Sequence, residues 1–169
     1  MPAVTPFELR KMPREDLVIL FKELPSPSLE EMNGEFAATL LDQGAAWENL
    51  VGKLAINLPG KWRSKAFLPV SSSAGRGYNG FVLRGRDVRR FQMRTSVGAS
   101  KLTTGESYHL DYSTYNGGYI GTMRDEVRKV DEHLYLGIGR VGFTKWERRR
   151  LLPFLLEGPD RPFDMRPFN

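Results

Sequence analysis

The chain of 169 residues contains no cysteine and only two histidines, His109 and His133. The missing cysteines exclude disulfides, thiolate zinc sites and a cysteine nucleophile, and two histidines are too few for a histidine-based metal site. We therefore expect neither a metal nor another cofactor. Because proteins without disulfides are typical of reducing compartments, a cytoplasmic location is expected.

Long hydrophobic runs are also missing. No apolar run approaches the ~20 residues of a membrane-spanning helix, and residues 1–16 lack the apolar segment of a secretory signal, so no membrane partner is expected. A hydrophobic content of 40% and a charged content of 27% are typical of a soluble globular protein. We expect one domain over residues 1–157, which starts with an arm at residues 1–12 and is followed by a tail at residues 158–169.

Basic residues outnumber acidic ones by 25 to 20, which gives a formal net charge of +5. The excess is concentrated in two arginine-rich stretches, residues 84–94 and 145–150. Such stretches fit a polyanion partner, or they solubilise a sheet from outward strand positions. Since acidic residues are scattered between the basic clusters, the second interpretation is favoured and nucleic acid is not the expected partner.

From Lys61 onward, apolar and polar residues alternate along the chain, which is typical of β-strands. Short turn signals separate the alternating stretches, as at residues 116–118. Together with one earlier strand, they predict strands at residues 35–41, 61–70, 77–84, 88–97, 106–113, 122–130, 134–141 and 151–156. A helix is expected to begin at Pro13 and end before Pro25, and another is expected at residues 45–58.

Strands in direct succession predict a mainly β fold. We expect a single antiparallel, lipocalin-like β-barrel of about eight strands, with an N-terminal helix and one helix inserted after the first strand. A barrel of roughly this size is just wide enough to hold one small ligand.

Two stretches of the chain resemble a known barrel family. Residues 58–64 contain Gly60-x-Trp62, with Ser64 at the position of a final glycine, and are similar to the lipocalin-like domains named GxWxG. Residues 125–131 with Leu136-Gly137 resemble the strand pair of a domain that accompanies GxWxG. The resemblance implies a calycin-type barrel in which Trp62 closes one end, against Arg140 or Arg148 as a cation–π partner.

Asp125 is the charged residue that is hardest to place on a solvated face. Alternation puts Met123, Asp125 and Val127 on one side of their strand, and the charged residues Arg124, Glu126 and Arg128 on the other. If the apolar side faces inward, the cavity near Asp125 also contains Thr95, Tyr108, Tyr112 and Met123.

Three interpretations of Asp125 remain open. A carboxylate among tyrosine hydroxyls in an apolar pocket suits proton transfer on a small carbonyl compound, or binding of a polar head group. Backbone amides at a bulge can instead satisfy a buried aspartate. The opposite register would put Arg124, Glu126 and Arg128 inside, where they suit an anionic ligand.

Two further motifs carry less weight. Residues 75–80 match G-x-G-x-x-G, but the preceding strand and following helix of a dinucleotide site are not expected there. We interpret them as a loop leading into a strand, with Tyr78 and Asn79 near the barrel mouth. His109 and Asp111 share a strand face and resemble a general-base pair, but an exposed surface pair is the favoured interpretation because Tyr108 and Leu110 belong to the core side.

These observations favour binding of a small, mostly apolar molecule in the barrel cavity. The expected ligand-binding residues are Trp62, Tyr78, Asn79, Phe91, Met93, Thr95 and Met123. The alternative is a small cofactor-independent acid–base enzyme of isomerase or cyclase type, with Asp125, Tyr108 and Tyr112 as catalytic residues. A further alternative is polyanion binding through the arginine-rich stretches.

Overall fold

The computed structural model describes residues 4–46, 48–49, 57 and 60–168. Eight antiparallel strands form a closed barrel in chain order, so that each strand pairs with its sequence neighbours and the last returns to the first. The strands are β1 (Gly34–Leu40), β2 (Lys61–Pro69), β3 (Gly75–Leu83), β4 (Arg86–Ala99), β5 (Glu106–Asp111), β6 (Arg124–Asp131), β7 (Leu134–Arg140) and β8 (Leu152–Arg161). The predicted fold class and the positions of all eight strands are confirmed.

Short helices accompany the barrel: α1 (Pro6–Lys11), α2 (Arg14–Glu23), α3 (Gly118–Gly121) and a 3-10 turn at Glu147–Arg149. The segment expected as an irregular arm therefore contains α1, which Thr5 begins through a capping box with Glu8. The helix predicted at residues 45–58 lies largely outside the described residues. Among the helices of the described part, none has the length and apolarity needed to cross a membrane.

Closure of the barrel gives β8 a partner on both sides. Pro153 of β8 pairs with Ile138 of β7, and its carbonyl accepts a hydrogen bond from the Leu41 N–H. β8 is also longer than the predicted strand, because it continues to Arg161, opposite Glu35 of β1.

The barrel interior is filled by aromatic and aliphatic side chains at its end near the start of β1. Rings of Phe36, Phe67 and Tyr108 contact one another in succession, with centroid distances of 5.7 Å and 5.4 Å. Leu29 and Met32, in the turn before β1, pack against this cluster. This end of the barrel is therefore closed by the chain itself.

A second apolar layer lies outside the barrel. Leu134, Leu136 and Ile138 of β7 pack against Leu17 and Phe21 of α2 rather than into the interior. The inward positions of β7 are instead Tyr135, Gly137 and Gly139, as their pairing and contacts show. Helix α2, the predicted N-terminal helix, thus flanks the sheet, and its apolar stripe covers β7.

Candidate functional site in the barrel interior

A β-bulge in β2 determines which side chains enter the barrel near the candidate site. Trp62 pairs with Phe81 and Ser64 with Gly80, so Arg63 is an extra residue on β2. After the bulge, Lys65 faces inward next to Trp62, whereas Ser64 faces outward. Strict alternation would have placed Trp62 and Ser64 on one face and Lys65 on the other.

Lys65 is the centre of a fully buried polar network. Its Nζ donates hydrogen bonds to Asp125 Oδ2 at 3.1 Å, to Asn79 Oδ1 at 3.0 Å and to the Tyr112 hydroxyl. The side chains of Lys65 and Asp125 are 3% and 2% exposed. All three N–H groups of the ammonium are therefore used inside the barrel.

The other members of the network satisfy one another. The Tyr112 hydroxyl donates to Asp125 Oδ2 at 3.2 Å and accepts from Asn79 Nδ2 at 3.1 Å. Asn79 Oδ1 also accepts from Trp62 Nε1 at 3.2 Å. Within the described part of the chain, Asp125 Oδ1 has no hydrogen-bond partner. That oxygen lies against Gly139, where an added Cβ would approach it to 2.9 Å.

Aromatic rings surround the ammonium group. Lys65 Nζ is 5.0 Å from the ring centroid of Phe154, 5.2 Å from that of Tyr112 and 5.5 Å from that of Trp62. The cation–π partner of Trp62 is thus Lys65, and the expectation of Arg140 or Arg148 was wrong. Arg140 pairs with Glu126 at 3.5 Å, and Arg148 donates to the Gly142 carbonyl at 2.8 Å.

Burial shifts the proton affinities of the network. It lowers the pKa of the Lys65 ammonium, and the nearby Asp125 carboxylate opposes this shift in part. Burial also raises the pKa of Tyr112 well above its usual value, and the charge of Asp125 acts in the same direction. Lys65 therefore loses its proton more readily than an exposed lysine does, whereas Tyr112 beside it keeps its proton to higher pH than an exposed tyrosine.

Asp125 therefore faces inward, on the side that alternation of the apolar residues predicts. Its inward neighbours on adjacent strands are Leu110 of β5 and Gly139 of β7. Among the predicted site residues, the structure brings Asp125, Tyr112, Asn79 and Trp62 into one hydrogen-bonded network with Lys65. The sequence analysis missed Lys65 and Phe154.

Other predicted residues lie inside the barrel but outside this network. Met93 is fully buried in the core, and Phe91 and Met123 pack against it as partly buried side chains. Thr95 is also fully buried. Tyr108 contacts Phe67 in the aromatic cluster near the start of β1, and burial raises the pKa of Tyr108 well above its usual range.

Tyr78 lies on the outer face of the barrel, away from the network. Its ring contacts Phe163 and Phe168 of the C-terminal segment, with centroid distances of 5.0 Å and 5.7 Å. Its hydroxyl donates to Glu35 at 3.3 Å. Arg89 holds the same segment, since it donates to the carbonyls of Arg166 and Pro167 at 2.6 Å and 2.7 Å. The predicted tail is therefore docked on the barrel wall.

Two outward residues of β6, Glu126 and Arg128, are also buried, and their partners lie outside the barrel interior. Arg128 donates to the carbonyls of Lys22 and Leu24 at the end of α2, at 3.1 Å and 3.0 Å. Glu126 accepts from the hydroxyl of Ser100 at 2.6 Å. The opposite register, with the charged residues inside, is therefore wrong.

His109 and Asp111, the expected surface pair, lie apart from the interior site. His109 Nε2 lies 3.1 Å from the Gly98 carbonyl, and Asp111 pairs with Arg124 at 3.2 Å. Among the described residues, no cluster of three or more histidine, aspartate or glutamate side chains is arranged to hold a metal ion.

Comparison with known proteins identifies the fold. A crystal structure of a protein from Thermomonospora curvata is similar to this chain, with a TM-score of 0.59 and 18% sequence identity. The match covers 86% of this chain and 87% of that chain. No family model and no curated protein matches this chain. The similarity therefore supports the barrel architecture and shows nothing about the function.

Proposed function

We propose that the barrel binds a small, mostly apolar molecule whose polar group contacts the Lys65–Asp125 pair. The observation that carries this proposal is the pair itself, two opposite charges 3.1 Å apart inside an aromatic-lined barrel. Apolar residues of similar volume often stabilise a fold as well as a buried ion pair, or better, because desolvation of the charges is costly. A role in recognition explains why charges occupy this position.

The chemistry of the pair indicates the kind of polar group. Lys65 and Tyr112 use their donors within the network, whereas Asp125 Oδ1 has no hydrogen-bond partner among the described residues, so a hydroxyl or N–H group of the ligand is complementary to it. Trp62 and Phe154 supply the apolar contact area around the ammonium.

Ligand extraction from the purified chain tests the proposal. Small molecules released from the unlabelled protein by organic solvent are identified by mass spectrometry, and their recovery is compared between variants. We expect recovery from the parent chain and from Lys61→Met, whose lysine is exposed on the same strand. Recovery should fall at least tenfold for the charge-free double variant Lys65→Met with Asp125→Leu, a loss of about 1.4 kcal/mol or more.

The fold of each variant is verified by circular dichroism before extraction. Equal recovery of one compound from the parent chain and the double variant would refute the role of the pair. If no compound is recovered, displacement of a fluorescent apolar probe by a series of apolar alcohols and amides gives the same comparison.

The second candidate function is acid–base catalysis. It is favoured by the contact of one carboxylate oxygen of Asp125 with both Lys65 and Tyr112, which provides groups able to hold and move a proton. Tyr112 is the tyrosine that supports this role, because its hydroxyl is 3.2 Å from Asp125. For a ligand identified by extraction, Asp125→Asn should retain binding and abolish turnover, and unchanged turnover would exclude catalysis by Asp125.

A further inference from the structure

Exposed aromatic side chains are concentrated on two loops at one mouth of the barrel. The loops are residues 112–123, between β5 and β6, and residues 141–151, between β7 and β8. Their exposed aromatic residues are Tyr115 at 49%, Tyr119 at 47%, Phe143 at 63% and Trp146 at 76%. We name these four residues the aromatic mouth patch.

The two loops are joined to each other. The Gly142 N–H donates to Thr122 Oγ1 at 2.9 Å, and the rings of Tyr119 and Phe143 are in contact with a centroid distance of 5.8 Å. The second loop also has internal order, because the Glu147 carboxylate accepts hydrogen bonds from Thr144 N and Oγ1. The patch is thus held in place by the loops and is not a set of isolated side chains.

Two cations flank the patch. Lys145 and Arg149 are exposed, and neither side chain forms an ion pair with any residue that the structure describes. The loop's acid, Glu147, is directed toward Thr144, and its pKa is lowered by those hydrogen bonds. Arg148 is used within the loop, where it donates to the carbonyls of Gly142 and Phe143. The 141–151 loop therefore presents exposed aromatic rings together with two cations that form no ion pair with a described residue.

The patch lies at the same end of the barrel as the Lys65–Asp125 pair. Tyr112 is the first residue of the 112–123 loop, and Asp125 lies just beyond the end of this loop. Ile120 and Met123 of the same loop pack against the interior core. One loop thus connects the exposed aromatic residues with the interior site.

We propose that the aromatic mouth patch docks this protein on an anionic lipid surface. Tryptophan and tyrosine are enriched where membrane meets water, because one part of each ring system is apolar and another is polar. Lysine and arginine are attracted to anionic head groups. The two cations beside the patch therefore favour an anionic lipid surface as its partner.

Such docking would place the barrel mouth next to a reservoir of apolar molecules. The proposal does not depend on ligand binding, however, since it stands on the exposed patch and its two cations. Its failure would leave the Lys65–Asp125 proposal untouched.

Vesicle flotation of the full chain tests the docking. We compare vesicles of phosphatidylcholine alone with vesicles that also contain phosphatidylserine, and expect association with the second kind that weakens as salt is added. Lys145→Gln with Arg149→Gln should weaken the association by roughly tenfold or more, since each basic residue near an anionic surface contributes about 1 kcal/mol. Phe143→Ser with Trp146→Ser should reduce association with the vesicles that contain phosphatidylserine.

The chain offers a control of the same chemistry at the opposite end. Phe7 of α1 is 64% exposed, and Lys11 Nζ lies 3.9 Å from its ring centroid. The start of α1 lies beside the β6–β7 turn, because residues 4–6 line one surface depression together with residues 131–134. Phe7→Ser with Lys11→Gln should leave vesicle association unchanged.

Three results would overturn the proposal. They are absence of association with phosphatidylserine vesicles, an equal loss in the α1 control, and patch-dependent binding of a single-stranded oligonucleotide or of a second copy of the chain without vesicle association. The charge variant changes only exposed side chains, so it remains informative even if the double serine variant fails to fold.

Discussion

Replacing Lys65 by methionine leaves the Asp125 carboxylate inside the barrel without the ammonium group that lies 3.1 Å away. Both side chains are at most 3% exposed, so solvent does not replace the lost partner. Removing one member of such a buried pair costs about 3–5 kcal/mol. For a chain of this length, each kcal/mol lowers Tm by roughly 2–4 °C, which predicts a fall of about 6–20 °C.

The double variant Lys65→Met with Asp125→Leu removes both charges and should recover the loss. Its free energy of unfolding is expected within about 1 kcal/mol of the parent chain, or above it by up to ~4 kcal/mol. The two substitutions should therefore couple by about 3 kcal/mol or more.

Urea unfolding followed by circular dichroism measures these differences at constant m-value. Lys61→Met is the matched control, because its lysine is exposed on the same strand, and it should stay within about 0.5 kcal/mol of the parent chain. The reasoning fails if Lys65→Met is as stable as Lys61→Met, or if the double variant is no more stable than the single one.

Three further perturbations address other parts of the fold. Gly137→Ala should destabilise the chain by about 1–3 kcal/mol, since the added Cβ would approach the Phe154 ring to 2.1 Å. Gly98→Ala is the control, because an added Cβ there has nothing within 4 Å, and urea unfolding should show a nearly unchanged stability. Phe163→Ala should lower the free energy of unfolding by about 2 kcal/mol and expose the tail to limited proteolysis, because Phe163 is only 9% exposed. The control is Met165→Ala, since Met165 is 64% exposed, and an equal effect of the two substitutions would contradict docking of the tail. Burial raises the pKa of Tyr78 from 10.0 to about 12, so the unfolded chain loses this proton first and stability falls as pH rises between those values. Tyr78→Phe should reduce this loss of stability with rising pH, which urea unfolding at alkaline pH measures. An unchanged pH dependence in this variant would contradict the raised pKa of Tyr78.

Alternation was sufficient to predict the strands and to place Asp125 on the same side of its strand as Val127, while the sequence left open which side faces inward. β6 has no bulge between Arg124 and Lys129, so counting by two from Val127 reaches Asp125 without error. Successive strands joined by short turns then led to the closed barrel. These predictions succeeded because they depend on local periodicity, which one sequence contains.

Lys65 was missed because one extra residue changed the periodicity. The bulge at Arg63 shifts every later residue of β2 to the other face, and a lysine between serine and alanine in an alternating strand is otherwise expected to face solvent. No glycine or proline marks this bulge, so the sequence offered no local signal for it.

The position predicted for Tyr78 was wrong for a different reason. Sequence reasoning identifies the inward face of a strand by its apolar residues, but apolar side chains of other segments also pack on the outer wall of this barrel. The docked tail buries Tyr78 from outside, and α2 does the same for Leu134 and Leu136. Both covers come from segments distant in the chain, and one sequence does not show which strand a distant segment will reach.

The return of β8 to β1 also constrains when the barrel can form during synthesis. Until Leu152–Arg161 has left the ribosome, Gly34–Leu40 has one unpaired edge, and the interior faces of the first strands stay open. Final closure is then a contact between strands that most of the chain separates, the kind of contact that slows folding. In a nascent chain, β1 therefore needs protection from pairing with other chains until its last partner has been made.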